Sequence, residues 1–577
     1  MGFLTNCIPS LPAARAIAAT ALFAASALIA PAASAQEQLT PAAATPAAGS
    51  PATLSDGSQP VLVVTIGSLN KMMQDVNYIT GVVGQAHFGG LFSMMAGTYG
   101  QGMDMDQPIG VLVPMIGGTP QPIVVLPTSD VRSILKRIEA QTGPIDQLDD
   151  GTLVATINGK TLYIQQNKSV AIAAQDREAL KLVPADPQGL FKGMGNDYNV
   201  AVRLQVQQVP VEVRNVLIDQ MRQGFESAMA KQQDADSARE MAENSIEQIE
   251  RLVQEADELN FGLNIDQPNR EIDVDFSFTA VGGTQLAAVY GGQQSIPSRF
   301  ASVIRDDAAA YLHGATSISP EAIDQATDSV ASSMEMLKKA LSNEGKLSED
   351  QLSEIDQYLG RLTEIITESL AEGKADMGVA LLAGKDQFQV VLGSFVADGE
   401  KVAALAKDLA QKVPDSPDAP EFKFDLGDFN GVTMHLIEGD VPPGEEEARK
   451  VFGDKIQIHI GTAPKAVYVA MGRGSEQLLK DFITAGNSDN GGARPLGQFK
   501  LRLLPIMEFA QSVTPEANAA VSAVIAALSS SNDKGELNAV SESIPNGAAS
   551  KISIREGLIK AIGAAAVAGQ PQGQQPF

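Results

Sequence analysis

The sequence predicts an α+β protein built as two tandem related domains, each a mostly antiparallel β-sheet with long amphipathic helices, or a helical hairpin, packed on one side. Three observations lead there. Short segments alternate apolar and polar residues with the period of a strand, two long segments carry apolar stripes at helical spacing, and the order strand, turn, helix recurs in the second half.

The chain of 577 residues is 44% hydrophobic, enough for sizeable cores. It opens with a short stretch carrying Arg15, followed by an apolar run from Ala16 to Ala30, Pro31 and the small residues Ala33, Ser34 and Ala35. That order reads as a signal peptide over residues 1–35, cleaved before Gln36, and implies a periplasmic, extracellular or cell-envelope protein. The run is shorter than the ~20 residues of a membrane-spanning helix, and no later segment is long and apolar enough, so no transmembrane helix is expected after cleavage. Cys7 is the only cysteine and would leave with the signal. The mature chain would then have neither disulfides nor thiolate chemistry. A net charge of −27 repels phosphate backbones, so nucleic acid is not an expected partner.

Residues 36–59 read as an Ala/Pro-rich linker, 60–290 as the first repeat with a helical hairpin at 210–259, 291–568 as the second with a hairpin at 319–371, and 569–577 as a tail. In the first repeat, Pro122 to Val125 forms a strand before a helix bearing Val131, Leu135 and Ile138. Phe388, Val390 and Leu392 precede Val402, Leu405 and Leu409 likewise. The strand of Lys168, Val170 and Ile172 leads to a short helix at Asp176 to Lys181, and its counterpart is Lys465, Val467 and Val469 before Ser475 to Lys480. Val200 to Val206 runs into a helix start at Val209-Pro210, as Phe499, Leu501 and Leu503 run towards Thr514-Pro515, with Arg203 answering Arg502. Each half closes on a hairpin, at Pro268-Asn269 and Pro545-Asn546. In the first half Leu217 to Ala256 supplies the helical stripe. In the second, Ser319-Pro320-Glu321 caps a start, and Ser348 caps the return helix. Ile272, Val274, Phe276 and Phe278 alternate with Asp273, Asp275 and Ser277, which suits a sheet with one wet face. By the same phase argument His435 and His459 point to solvent, and His313 reads as structural.

Three runs, Pro60 to Gly81 (PVLVVTIGSLNKMMQDVNYITG), Asp197 to Gly224 (DYNVAVRLQVQQVPVEVRNVLIDQMRQG) and Leu259 to Ala280 (LNFGLNIDQPNREIDVDFSFTA), resemble a group of predicted exported proteins of planctomycete bacteria. The resemblance covers mainly the first half. It implies such a host and an exported location, and it implies no catalytic residue, because the group has no activity to name.

Ser68-Leu69-Asn70-Lys71 and Ser488-Asp489-Asn490 match two of three signatures of serine penicillin-binding proteins and β-lactamases. The third is missing and the separation is far too long, so the first reads as a helix cap and the second as a turn. Gly472-Arg473-Gly474-Ser475 lies where amides cradle phosphate, but lacks the lysine of a P-loop. His87, Phe88, Phe92, Met94, Met95, Tyr99 and Met103 gather in a glycine-rich segment. Thioether and imidazole suit Cu(I), yet the spacing is irregular, and the segment reads as a contact for an apolar ligand or partner. No catalytic residue, metal or cofactor is assigned. The expected function is a non-enzymatic envelope scaffold or binding module. The alternatives are a carrier of a lipid or other apolar ligand in a groove between helices and sheet, with Met221, Met229, Met241, Met334 and Met336 as adaptable lining, and a hydrolase with an unrecognised site.

Overall fold

The computed structural model describes residues 53–568 apart from 158, 230–245, 248, 344–348, 386, 414–418, 443, 489–491, 493 and 514–518. The expected signal segment, residues 36–52 of the linker, the tail and residues 234–236, Met241, Ser348, Asp489, Asn490, Thr514 and Pro515 lie outside them. The chain joins the fold before residue 60, since Leu54 is buried and the Ser55 amide donates to the Leu182 carbonyl at 2.8 Å.

The first half contributes β1 (Leu62–Ile66), β2 (Ile109–Val113), β3 (Ile123–Pro127), β4 (Leu153–Ile157), β5 (Lys160–Asn167), β6 (Val170–Ala174), β7 (Val200–Gln205), β8 (Ala256–Asp266) and β9 (Glu271–Ala280). The second contributes β10 (Ala310–Ser317), β11 (Lys374–Gly384), β12 (Gln387–Phe395), β13 (Val432–Asp440), β14 (Lys455–Ala463), β15 (Ala466–Gly472), β16 (Gly497–Arg502), β17 (Glu536–Ile544) and β18 (Gly547–Arg555). The first set lies side by side in the order β4-β5-β6-β3-β2-β1-β7-β8-β9. The second follows the same plan, β13-β14-β15-β12-β11-β10-β16-β17-β18. Every pairing is antiparallel. Edge strands β9 and β18 pair with each other from Glu271↔Arg555 to Thr279↔Gly547, so the sheet passes residue 290 without a break.

Helices fall at matching places in this plan. They are α1 (Leu69–Val82), α2 (Ala86–Tyr99), α3 (Val131–Thr142), α4 (Arg177–Leu180), α5 (Val211–Met229) and α6 (Gln285–Gly291), then α7 (Pro320–Asn343), α8 (Glu349–Ala371), α9 (Gly399–Lys412), α10 (Glu446–Phe452), α11 (Ser475–Ser488), α12 (Leu503–Val513), α13 (Ala519–Ser529) and α14 (Glu556–Ala568). The pair α1–α2 follows β1 as α7–α8 follows β10. Residues 211–255 separate β7 from β8 as α12–α13 separate β16 from β17. The sequence placed one hairpin in each half, at 210–259 in the first and at 319–371 in the second, whereas each half carries helices at both places. Two boundaries also move. Strand β8 begins at Ala256, inside the hairpin expected to reach 259, and strand β16 ends at Arg502, so that Leu503, expected as the last strand residue, opens helix α12.

Local chemistry explains the starts. Asp130, Asp398 and Thr284 accept from the exposed first-turn amides of α3, α9 and α6, and Ser319 Oγ accepts from the Ala322 amide ahead of α7. Long α7 and α8 lie against each other through Val330, Met334, Leu362 and Ile366. On the opposite face, Phe191, Met194 and Tyr198 cover the first half, while Phe300, Leu479 and Phe482 cover the second.

Cover on that second face overturns the expected wet side. Asp273, Asp275 and Ser277 are all buried. Tyr198 lies over Gly262, where an added Cβ would meet the ring at 2.3 Å, and bonds Asp275, while Lys551 Nζ reaches Asp273 at 2.9 Å. His435 and His459 are likewise buried, not solvent-facing. His435 Nδ1 accepts the Asp425 amide at 3.1 Å, and His459 Nδ1 lies 2.9 Å from Ser475 Oγ.

Candidate functional site

A groove opens between the sheet and its helices where the two halves meet. Its floor comprises Phe276 and Phe278 of β9, Ala548 and Ser550 of β18, Leu312 and Gly314 of β10, and Ala375 and Met377 of β11. Its roof comprises Leu286, Val289 and Tyr290 of α6, Ala322, Gln325, Ala326 and Ser329 of α7, and Ile249, Arg251 and Leu252 from the helical residues 249–255. The cavity measures about 240 Å³.

Small residues on both walls make this space. The stripe Ala322, Ala326 and Ser329 turns the slim side of α7 to the sheet, which answers with Gly314, Gly497, Ala375 and Ala548. Larger side chains at these positions would fill the space between helices and sheet. Tyr290 meets Phe278 edge to face, centroids 4.8 Å apart. Burial pushes the Tyr290 hydroxyl above its usual range, and the charge of Arg251 pulls it partly back.

Beside the groove, His313 Nε2 lies 2.9 Å from Ser298 Oγ, which donates to Asp376 Oδ1 at 2.5 Å. These are the residue types of a serine hydrolase in the wrong order. A nucleophile needs its histidine oriented by the acid, whereas here the acid takes the hydroxyl directly. All three side chains are buried, and Ser298 Oγ also accepts the Phe300 amide at 3.0 Å. The chain of bonds fixes the loop that carries Phe300 into the core.

The other sequence motifs resolve into structure. Ser68 Oγ caps α1 by accepting the Lys71 amide at 3.2 Å, while Lys71 Nζ turns away to Asp75, Asn199 and Asn264 at 2.8, 2.9 and 3.1 Å. Ser488 Oγ donates to the Thr484 carbonyl at 2.9 Å. Gly472 has φ +109°, and a Cβ there would lie 2.2 Å from the Phe388 carbonyl oxygen, so this glycine serves the turn. Among the described residues, one acidic group has metal-like spacing, Asp266, Glu271 and Asp273. Lys551 and Arg555 already compensate it, the latter 3.2 Å from Glu271.

His87, Phe88, Phe92, Met94, Met95 and Tyr99 lie on α2, with Met103 in the turn beyond it. The first six share one helix, and none of the seven lines the groove. Phe88, Met94, Met95 and Tyr99 are exposed, as is Leu91, and the His87 ring rests on Phe88 at 4.1 Å. Met334 is buried between α7 and α8, Met221 is exposed, and the methionine that lines the groove is Met377. Sequence reasoning missed the groove residues because alanine and glycine at these spacings carry no periodic signal.

No helix among the described residues is long and apolar enough to cross a membrane. No family model and no curated protein matches the chain. A solved structure described as crystal form IV of TP0453 is similar over 39% of this chain and 78% of that chain, at 6% identity and a TM-score of 0.21.

Proposed function

We propose that this chain is an exported binding protein that carries an apolar or amphiphilic small molecule in the groove between α6, α7 and the sheet. The observation that carries this reading is the cavity itself, floored by Phe276, Phe278, Leu312 and Met377 and kept open by small residues on both walls. Each methylene laid there contributes about 0.8 kcal/mol. Export rests on the signal-like residues 1–35. A duplicated origin of the halves is supported by the repeated strand order and by a repeated detail. Asn260 Nδ2 donates to Glu258 Oε1 at 2.7 Å beside Arg203, and Asn538 Nδ2 donates to Glu536 Oε1 at 2.8 Å beside Arg502.

The test is organic extraction of the purified protein followed by mass spectrometry, with binding of an environment-sensitive apolar dye to wild type and to Ala548→Trp. Co-purifying amphiphile and a dye signal lost in the filled variant are expected. Equal dye binding by both proteins, with nothing extracted, sinks the reading.

A second reading, a scaffold that docks on another envelope component, is favoured by α2. Its exposed Phe88, Leu91, Met94, Met95 and Tyr99 lie within a stretch from Val76 to Met103 that has no Asp, Glu, Lys or Arg. Met94→Lys with Leu91→Lys should leave stability unchanged and abolish any co-purifying partner; retention of the partner counts against it.

A further inference from the structure

The geometry points to a ligand with one acidic head and one apolar tail, its anion at Arg251 and Tyr290 and its tail along Phe276, Phe278 and Met377. This deepens the carrier reading and rests on it. Arg251 is half-buried in the groove lining, on the same helical segment as Ile249 and Leu252, and makes no hydrogen bond or ion pair with a described residue. Most cations here are paired: Lys551 with Asp273, Arg555 with Glu271, Arg502 with Glu536. An arginine that lines a largely apolar cavity and pairs with no described carboxylate presents its planar fork of donors to whatever enters, and a carboxylate fits that fork in two-pronged fashion.

Tyr290 brings a hydroxyl within the field of Arg251, and its ring is fixed by Phe278. Both side chains line the groove whose floor is Phe276, Phe278, Leu312 and Met377. Glu542 also lines the groove, and a second negative charge on the head would meet it and the −27 of the whole chain. Those repulsions favour a monoanion, such as a fatty-acid carboxylate, over a dianionic phosphate monoester.

Isothermal titration of the mature chain with dodecanoate and with dodecanol tests this. Wild type should bind the carboxylate about tenfold or more tighter than the alcohol, as a charge-assisted hydrogen bond commands. Arg251→Gln should remove that preference while keeping alcohol affinity within about twofold. Equal affinity of wild type for both probes overturns the acidic-head inference and leaves the groove reading standing. Binding of neither probe overturns both. Should the variant misfold, the wild-type comparison decides alone, and weakening of dodecanoate but not dodecanol by added salt supports the inference.

Discussion

Tyr78 donates its hydroxyl to Glu556 Oε2 at 2.7 Å, tying helix α1 near the start of the fold to α14 at its end. Glu556 is buried, and Lys560 Nζ holds its other oxygen. Burial pushes this carboxyl up, but the bonds from Lys560 and Tyr78 outweigh it and hold the group below its usual range. Tyr78→Phe should therefore cost about 1.5–3 kcal/mol, the range for a hydrogen bond to a charged group. Chemical denaturation reads it; an unmoved midpoint would mean the contact contributes nothing.

Turn strain predicts an order of damage. Gly472→Ala combines a left-handed backbone with overlap against Phe388, whereas at Gly474, φ +71°, the nearest atom to an added Cβ is 3.7 Å away. Strain alone costs about 1–3 kcal/mol. Gly472→Ala should lower Tm well beyond Gly474→Ala, and equal losses would refute the contact.

The buried imidazoles predict sensitivity to mild acid. Burial is the main cause that lowers the pKa of His435 and His459 from the usual 6.5. The unfolded chain thus takes up protons that the folded chain refuses. Stability should be full above about pH 6.5 and fall as the pH drops below it. His435→Gln should flatten the fall in denaturation midpoint between about pH 7 and 5, and an unchanged slope would contradict this.

Glu438 acts at lower pH. Hydrogen bonds from Lys423 first, then Gln457 and Lys455, hold its carboxyl at about 2, against a usual value of 4.5. Its stabilisation is present above about pH 4.5 and lost as the pH falls towards 2. With the lysines partly exposed, Glu438→Gln should cost about 1 kcal/mol at pH 7 and nearly nothing at pH 2. A penalty that persists in acid would assign it to packing instead.

Much of the strand plan was legible because alternation is local. Pro122 to Val125 and Phe388 to Leu392 do occupy equivalent strands, β3 and β12, as do Val170 with Val467 and Val202 with Leu501. Burial of Asp273 and Asp275 was illegible because the cation that offsets Asp273, Lys551, comes from a strand near the other end of the chain. The position of the groove was illegible for a related reason. It depends on what α7 and β18 lack, and missing bulk leaves no periodic mark. Helices α1 and α2 escaped notice as a pair because α2 is apolar around most of its circumference, which gives no stripe.

The joint between β9 and β18 has a consequence for the origin of the chain. Each is the outermost strand of its own half, and they meet antiparallel through register pairs centred near Asp275 and Lys551. Two identical copies of an ancestral half could have met across the same seam, with a rotation axis through its middle. Under the duplication proposed above, a gene fusion would have made permanent a dimer of such halves and freed the two copies of the shared floor to diverge.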